Sequence, residues 1–114
     1  MSQVPDQHFR LEVVDGVTVV RLAGPKLVID AGEPLSGLVE DGGHRNLLLD
    51  FAEVGFLSSA ALGVLIGLRQ KVDSVGGQLK LCRLAPDILE LFRLTRMEEL
   101  FAIHADDREA LARF

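Results

Sequence analysis

The hydrophobic and polar positions in the first part of the chain predict a β-hairpin followed by a helix. Residues 9–14 and 17–22 are β-prone runs joined by Asp15-Gly16, a two-residue connection that strongly favours a hairpin turn. Residues 26–30 are ambiguous, because their short apolar stretch fits either a strand or a packed linker. Residues 31–40 carry an apolar stripe and a proline in the first turn, which is typical of a helix.

The rest of the chain alternates strands with helices. Residues 46–51 form a short, continuously apolar run bounded by turn residues, as expected of a central strand covered on both faces. Residues 78–82 are another predicted strand, with Leu79 and Leu81 on one side, and a last strand is expected within residues 100–103. Apolar residues with a helical period predict two helices, over residues 59–75 and 86–94. Acidic residues suited to a first helical turn predict a terminal helix that starts at residue 106. This order predicts an α/β fold: a mixed sheet, antiparallel in the hairpin and parallel afterwards, with about four helices packed on it.

The length and the apolar content fit one compact unit. A chain of 114 residues is enough for one core and too short for two ordinary domains. Apolar residues make up 48% of the chain, so a packed interior can form. We therefore expect a single domain over residues 1–114, in which residues 1–7 are flexible.

The charge and the aromatic content exclude several classes of partner. The net charge is −5, which disfavours nucleic acids and anionic membrane surfaces. With six Phe and neither Trp nor Tyr, the chain offers no aromatic platform for single-stranded nucleic acid. The longest apolar stretch, residues 60–68, is too short to span a membrane, and the single cysteine, Cys82, fits a reducing compartment. We expect a cytoplasmic protein.

The most informative segment is a pair of serines at the start of the longest predicted helix. Ser58 and Ser59 follow a buried strand and a short loop, so they lie beyond the carboxyl end of that strand, where α/β sheets commonly place their sites. One interpretation is that one serine caps the helix and contributes about 1 kcal/mol to stability. The other is that an exposed hydroxyl accepts a phosphoryl group, which the helix N-terminus tolerates.

Small residues follow the serines in the same helix. Ala60, Ala61 and Gly63 allow another molecule to approach the helix closely, or they allow tight packing of the helix on the sheet. The sequence leaves both explanations open.

An enzymatic function is not expected. A nucleophilic serine needs a base within hydrogen-bond reach, and His8, His44 and His104 lie near the ends of predicted elements, with no spacing that suggests such a pair. The chain has no Gly-x-Ser-x-Gly motif, no glycine-rich phosphate loop and no His/Cys/Asp cluster with metal-ligand spacing. We expect no metal and no cofactor.

The segment around the serines resembles the STAS family, in particular the bacterial anti-sigma factor antagonists. Their signature is a strand, a few residues, and then Asp-Ser-Ser/Thr-Gly-Leu-Gly at a helix start, in which the first serine is the phosphoacceptor. Here residues 54–57 lead into Ser58-Ser59-Ala60-Ala61-Leu62-Gly63. The resemblance extends to residues 45–50, 76–82 and 88–101.

Residue by residue, the resemblance implies a phosphoacceptor and a contact surface. Ser59 falls on the phosphoacceptor serine and Ser58 on the aspartate of the signature, so Ser58 is the alternative phosphoacceptor. The implied partner-binding residues are Ser58, Ser59, Ala60, Ala61, Leu62 and Gly63. The chain departs from the signature at Ser58, Ala60 and Ala61, and Gly24-Pro25-Lys26-Leu27 does not reproduce the acidic residue that the family has after its first hairpin.

The function implied by the resemblance is partner switching. The unmodified protein would bind an anti-sigma factor that is also a serine kinase, phosphorylation of the serine would release it, and a serine phosphatase would restore binding. The alternative is a constitutive scaffold or interaction module in a sensory complex, since the same fold serves both purposes.

Overall fold

The computed structural model describes residues 9–23, 26–27 and 32–114. Residues 1–7, for which flexibility is expected, lie outside the described residues, as do residues 28–30 of the ambiguous segment. None of the helices in these described ranges is both long enough and apolar enough to cross a lipid bilayer.

The predicted hairpin forms at the predicted turn. Strand β1 (Phe9–Val14) pairs antiparallel with strand β2 (Val17–Leu22), and Val14 faces Val17 across the turn. Asp15 and Gly16 both have a positive φ, of 51° and 82°, which is the backbone conformation of a type I′ turn. This turn matches the twist of the flanking strands and therefore fixes the register of the hairpin.

The main sheet is mixed, as the sequence predicts. Strands β4 (Asn46–Asp50), β6 (Gln78–Cys82) and β7 (Ala102–His104) join β2 in parallel, and the order of the five strands is β1-β2-β4-β6-β7. The carboxyl ends of the four parallel strands therefore lie at one edge of the sheet. The final strand begins two residues later than the start predicted for it, because a short 3-10 helix occupies Met97–Glu99.

A two-residue strand pair was not predicted. Strand β3 (Lys26–Leu27) pairs in parallel with β5 (Phe56–Leu57), which lies in the segment expected to be a loop. The pairing shows that the beginning of the ambiguous segment is a strand. It also fixes the backbone immediately before the two serines.

Four helices complete the part of the fold that the structure describes. Their bounds are α1 (Gly32–Glu40), α2 (Ser59–Ser74), α3 (Pro86–Leu94) and α4 (Asp107–Leu111). Every helix end that was predicted from the sequence lies within one residue of the predicted position. The agreement is close because capping residues and flanking Gly and Pro residues define helix ends.

The sheet has two differently covered faces. On one face, strand residues such as Leu47, Leu49 and Leu81 pack with apolar residues of α1, α2 and α3 in the larger core cluster. On the other face, Leu48 and Cys82 belong to a smaller cluster that α4 covers. Successive strand residues point to opposite faces, so β4 contributes to both clusters.

Candidate functional site

Ser58 is the residue that caps helix α2. Its backbone is extended (φ −74°, ψ 157°), and its Oγ accepts a hydrogen bond from the Ala61 backbone N–H at 3.1 Å. This is the standard geometry of an N-cap serine, which satisfies one of the unpaired N–H groups of the first turn. The capping interpretation of the serine pair therefore applies to Ser58.

Ser59 occupies the next position, the first residue of α2, and is exposed. Within the described ranges, no group of the protein forms a hydrogen bond with its hydroxyl. The hydroxyl lies at the positive end of a 16-residue helix, where an added negative charge is favourable. Of the two serines, Ser59 is therefore the one whose side chain makes no hydrogen bond to the described residues.

The side chains of the predicted contact residues are mostly accessible. We call Ser58, Ser59, Ala60, Leu62 and Gly63 the α2-start surface; Ala60 and Gly63 are exposed, and Leu62 is partly buried. Ala61, which the resemblance places in the contact surface, is 0% exposed and packs in the core. It therefore holds α2 on the sheet and offers no side-chain surface to a partner.

Packing among the described residues does not require a glycine at the position of Gly63. A Cβ atom added to it would meet no heavy atom within 4 Å. Because glycine in a helix costs about 1 kcal/mol relative to alanine, its presence here has no internal compensation. Tight packing of α2 on the sheet, one of the two explanations from the sequence, therefore does not account for this glycine.

An exposed phenylalanine adjoins the α2-start surface in sequence. Phe56 lies two residues before Ser58 and is 54% exposed, whereas its neighbour Leu57 is 5% exposed. The alternation of β5 turns Leu57 into the core and Phe56 outward. Phe56 was not predicted as a site residue from the sequence. The signal that could have identified it is the apolar pair Phe56-Leu57 before the cap, because only one residue of such a pair in a strand can face the core.

A charged cluster lies at the carboxyl edge of the sheet. Asp50, the last residue of β4, is 4% exposed and accepts a hydrogen bond from Arg21 Nη1 at 2.6 Å and one from the Ala52 N–H at 2.9 Å. Arg21 also contacts Glu12 at 2.9 Å. A buried carboxylate with partners on both oxygens holds the end of β4 and the start of the loop that leads to α2.

Two further residues extend this cluster to helix α4. Arg83 donates to Asp107 Oδ1 at 2.8 Å, and Arg21 Nη2 lies 3.4 Å from Asp107 Oδ2. The hydrogen bond from Arg83 lowers the pKa of Asp107 below its usual value. We call Arg21, Asp50, Arg83 and Asp107 the arginine–aspartate cluster. It could not be predicted from the sequence, because its members come from β2, β4, the loop after β6 and α4.

Cys82 is a packing residue of the sheet. Its side chain is buried, and burial, with a smaller contribution from the negative charge of Asp50, raises the pKa of its thiol to about 12. A thiol with this pKa holds its proton at neutral pH, so Cys82 is a poor nucleophile and a poor metal ligand.

The histidines that the structure describes have other neighbours than the serines. His44 Nδ1 lies 2.7 Å from Thr18 Oγ1, and His104 Nδ1 lies 3.4 Å from Glu109 Oε1. His8 lies outside the described residues. In the part of the chain that is described, neither serine has a hydrogen bond to a histidine.

The fold and the site define a class of small α/β domains. A mixed sheet carries a hairpin at one end, and a long helix presents an exposed hydroxyl beside the carboxyl ends of the parallel strands. A family model for the STAS domain matches residues 8–110. The chain belongs to the STAS family.

The chain is also similar in sequence to one curated protein and in fold to solved structures. BtrV of Bordetella bronchiseptica, a candidate anti-sigma factor antagonist, is 30% identical over 104 residues, which cover 90% of this chain and 89% of that protein. The structure of an anti-sigma factor antagonist (STAS) domain protein from Planctomyces limnophilus superposes with a TM-score of 0.80 at 20% identity, covering 92% of this chain and 95% of that one. SpoIIAA from Bacillus in its phosphorylated form superposes with a TM-score of 0.69 at 23% identity, covering 92% and 97%.

Proposed function

We propose that the protein is an anti-sigma factor antagonist that acts by partner switching in the cytoplasm. When it is unphosphorylated, the α2-start surface binds an anti-sigma factor that is also a serine kinase, and the sigma factor is released. The kinase then phosphorylates Ser59, the complex dissociates, and a serine phosphatase restores the binding form. The similarity to named anti-sigma factor antagonists supports the general role.

The position of Ser59 is the observation that supports phosphorylation most strongly. Its hydroxyl is exposed, and the neighbouring Ser58 already caps the helix. Phosphorylation of Ser59 would therefore break no hydrogen bond of the described structure. A phosphoserine carries a charge of about −1.5 to −2, and the helix N-terminus stabilises that charge within the monomer.

The same charge would disrupt a contact made by this surface. In a complex, the phosphate would be removed from water against a partner surface shaped for a neutral hydroxyl. A buried charge without a partner costs about 3 to 5 kcal/mol, which corresponds to a loss of affinity of more than a hundredfold. The fold therefore tolerates the modification, whereas the complex does not.

The shape and chemistry of the surface support direct docking. Ala60 and Gly63 leave the helix backbone accessible, and a Cβ atom at Gly63 would extend into open space. Phe56 provides a large apolar side chain next to these small residues in sequence. Aromatic side chains of this kind often contribute a large share of the binding energy at protein interfaces.

The departures from the family signature favour one second candidate, a constitutive interaction module. Ser58 replaces the aspartate, which removes a carboxylate beside the acceptor hydroxyl, and Ala61 replaces the glycine. A module of this kind would bind its partner through the same surface without being switched. Ser58, as the alternative phosphoacceptor, would have to give up its capping hydrogen bond when modified.

Affinity measurements separate the two candidates. The serine-kinase anti-sigma factors of the same genome are purified, and their affinity for the wild type, Ser59→Ala, Ser59→Asp and the kinase-phosphorylated protein is measured by calorimetry without ATP. We expect Ser59→Ala to bind like the wild type and the two charged forms to bind at least about a hundredfold more weakly. Equal affinities for all four forms would favour the constitutive module.

A further inference from the structure

Among the described residues, strand β1 is an edge strand of the main sheet. It has six residues and is first in the strand order, and no strand in the described ranges pairs with its outer side. The opposite edge strand, β7, has only three residues. A long edge strand offers a row of free N–H and C=O groups to another strand, and natural proteins usually block such edges.

The hairpin turn determines which backbone groups of β1 face outward. In a two-residue hairpin, the residues that flank the turn, Val14 and Val17, form a hydrogen-bonded pair. The N–H and C=O groups of Val14, Glu12 and Arg10 therefore point toward β2. Those of Phe9, Leu11 and Val13 point toward the open edge.

The side chains of β1 divide between the two faces of the sheet. Leu11 and Val13, on the face of Val20, are 46% and 64% exposed. Arg10 and Glu12 point to the opposite face, and their side chains are 67% and 54% exposed. The edge therefore has an apolar side and a side with one positive and one negative charge.

We propose that β1 pairs antiparallel with β1 of a second copy of this chain, around a two-fold axis at Leu11. In this register, Leu11 faces Leu11 of the second copy, and Phe9 faces Val13. Arg10 lies opposite Glu12 of the second copy, and Glu12 lies opposite Arg10. The two main sheets join into one continuous sheet across the axis.

The charges select this register among the neighbouring ones. A two-fold axis at Arg10 would place the two arginines opposite each other, and an axis at Glu12 would do the same with the two glutamates. Like charges directly opposite each other on antiparallel strands are destabilising, whereas opposite charges are stabilising. Only the axis at Leu11 combines outward-facing backbone groups, apolar pairs and opposite charges, which is the self-complementarity that a two-fold contact requires.

The contact is small and independent of the function proposed above. Because it involves one strand from each copy, we expect a reversible dimer whose population rises with protein concentration.

Arg10 also contacts Glu53 at 3.3 Å, and Glu12 contacts Arg21, but the side chains of Arg10 and Glu12 remain exposed enough to reach a second strand.

Charge exchange tests the proposal. Sedimentation equilibrium from low micromolar to millimolar protein is measured for the wild type, Arg10→Glu, Glu12→Arg and the double variant that exchanges the two charges. We expect each single variant to dimerise at least about tenfold more weakly and the double variant to recover, because opposite charges again face each other. Glu98→Arg, a charge reversal at an exposed site outside β1, should dimerise like the wild type.

The register is tested by cross-linking. Hydrogen-bonded residues on antiparallel strands have Cα atoms about 5.5 Å apart, a separation that suits a disulfide. Leu11→Cys should therefore form a disulfide-linked dimer under mild oxidation. Val13→Cys should not, because Val13 faces Phe9. A wild type that stays monomeric at every concentration, a double variant that fails to recover while melting like the wild type, or equal cross-linking of the two cysteine variants would overturn the proposal.

Discussion

Two polar regions lie near the carboxyl ends of the parallel strands. They differ in whether their polar side chains are paired with other groups of the domain. In the arginine–aspartate cluster, the carboxylates of Asp50 and Asp107 are paired with arginines from other elements. At the start of α2, Ser58 is used by the helix and Ser59 is left exposed. Polar groups that are paired within the domain maintain its structure, whereas an exposed hydroxyl without a structural task is available for modification or for a partner.

The largest effect is expected from Asp50→Ala. Removal of the Asp50 carboxylate takes away the buried partner of Arg21 and the acceptor of the Ala52 N–H. We therefore expect a decrease of about 3 kcal/mol in the free energy of unfolding. Urea denaturation followed by circular dichroism measures it. Glu53→Ala, which removes an exposed ion pair with Arg10, is the control and should cost less than about 1 kcal/mol. Similar costs for both variants would contradict the structural role of the cluster.

The two serines should differ in their effect on stability. Ser58→Ala removes the N-cap and should lower the free energy of unfolding by about 1 kcal/mol, while Ser59→Ala should change it by less than about 0.5 kcal/mol. The same denaturation experiment compares them directly. If Ser59→Ala proves the more destabilising of the two, the division of roles between cap and phosphoacceptor is wrong.

Gly63→Ala should separate stability from binding. The added methyl group meets no atom of the described residues and improves helix propensity, so we expect a gain of up to about 1 kcal/mol in stability. The same methyl group extends from the α2-start surface and should weaken partner binding. A loss of stability with unchanged affinity would show that Gly63 serves the fold. Gly67→Ala, four residues further along α2 and equally unobstructed, is the matched control.

The smallest effect on the free energy of unfolding is expected from Asp107→Asn, and this effect should depend on pH. Because its pKa is lowered in the folded state, its contribution to stability is present above its ordinary value of 3.8 and is lost as the pH falls through the folded value. Asp107→Asn should therefore be less stable than the wild type by about 0.5 kcal/mol near neutral pH, and this difference should disappear in strong acid. Unfolding curves across the acid range test this; a difference that does not depend on pH would contradict the assigned pair.

The sequence predicted the architecture because local signals define most of it. Asp15-Gly16 determines the hairpin, and Pro86 with Gly76-Gly77 marks helix ends that the structure confirms. The strand pair β3–β5 escaped prediction, since two residues are too few to form a periodic pattern. Arg21 and Asp50 are 29 residues apart, and only the parallel pairing of β2 with β4 brings them together.

The candidate site was selected from the sequence, but the sequence could not assign the separate roles of its two serines. Either serine could cap a helix, and the backbone conformation at Ser58 decides which one does. Ala61 is buried because it lies on the face of α2 that packs on the sheet. If the helix began one residue earlier or later, a different residue could lie on that face, so the sequence alone did not predict the burial of Ala61. The sequence does not show which of Phe56 and Leu57 faces the core. The structure shows that Leu57 is buried and that Phe56 is exposed.

Phosphosite mapping tests the central claim most directly. The wild type, Ser58→Ala and Ser59→Ala are incubated with the serine-kinase anti-sigma factors of the same genome and ATP, and the products are analysed by intact-mass and tandem mass spectrometry. We predict one phosphate on Ser59 in the wild type and in Ser58→Ala, and none in Ser59→Ala. A phosphate on Ser58 in the wild type, or one that persists in Ser59→Ala, would contradict the proposal that the exposed hydroxyl at the start of α2 is the switch.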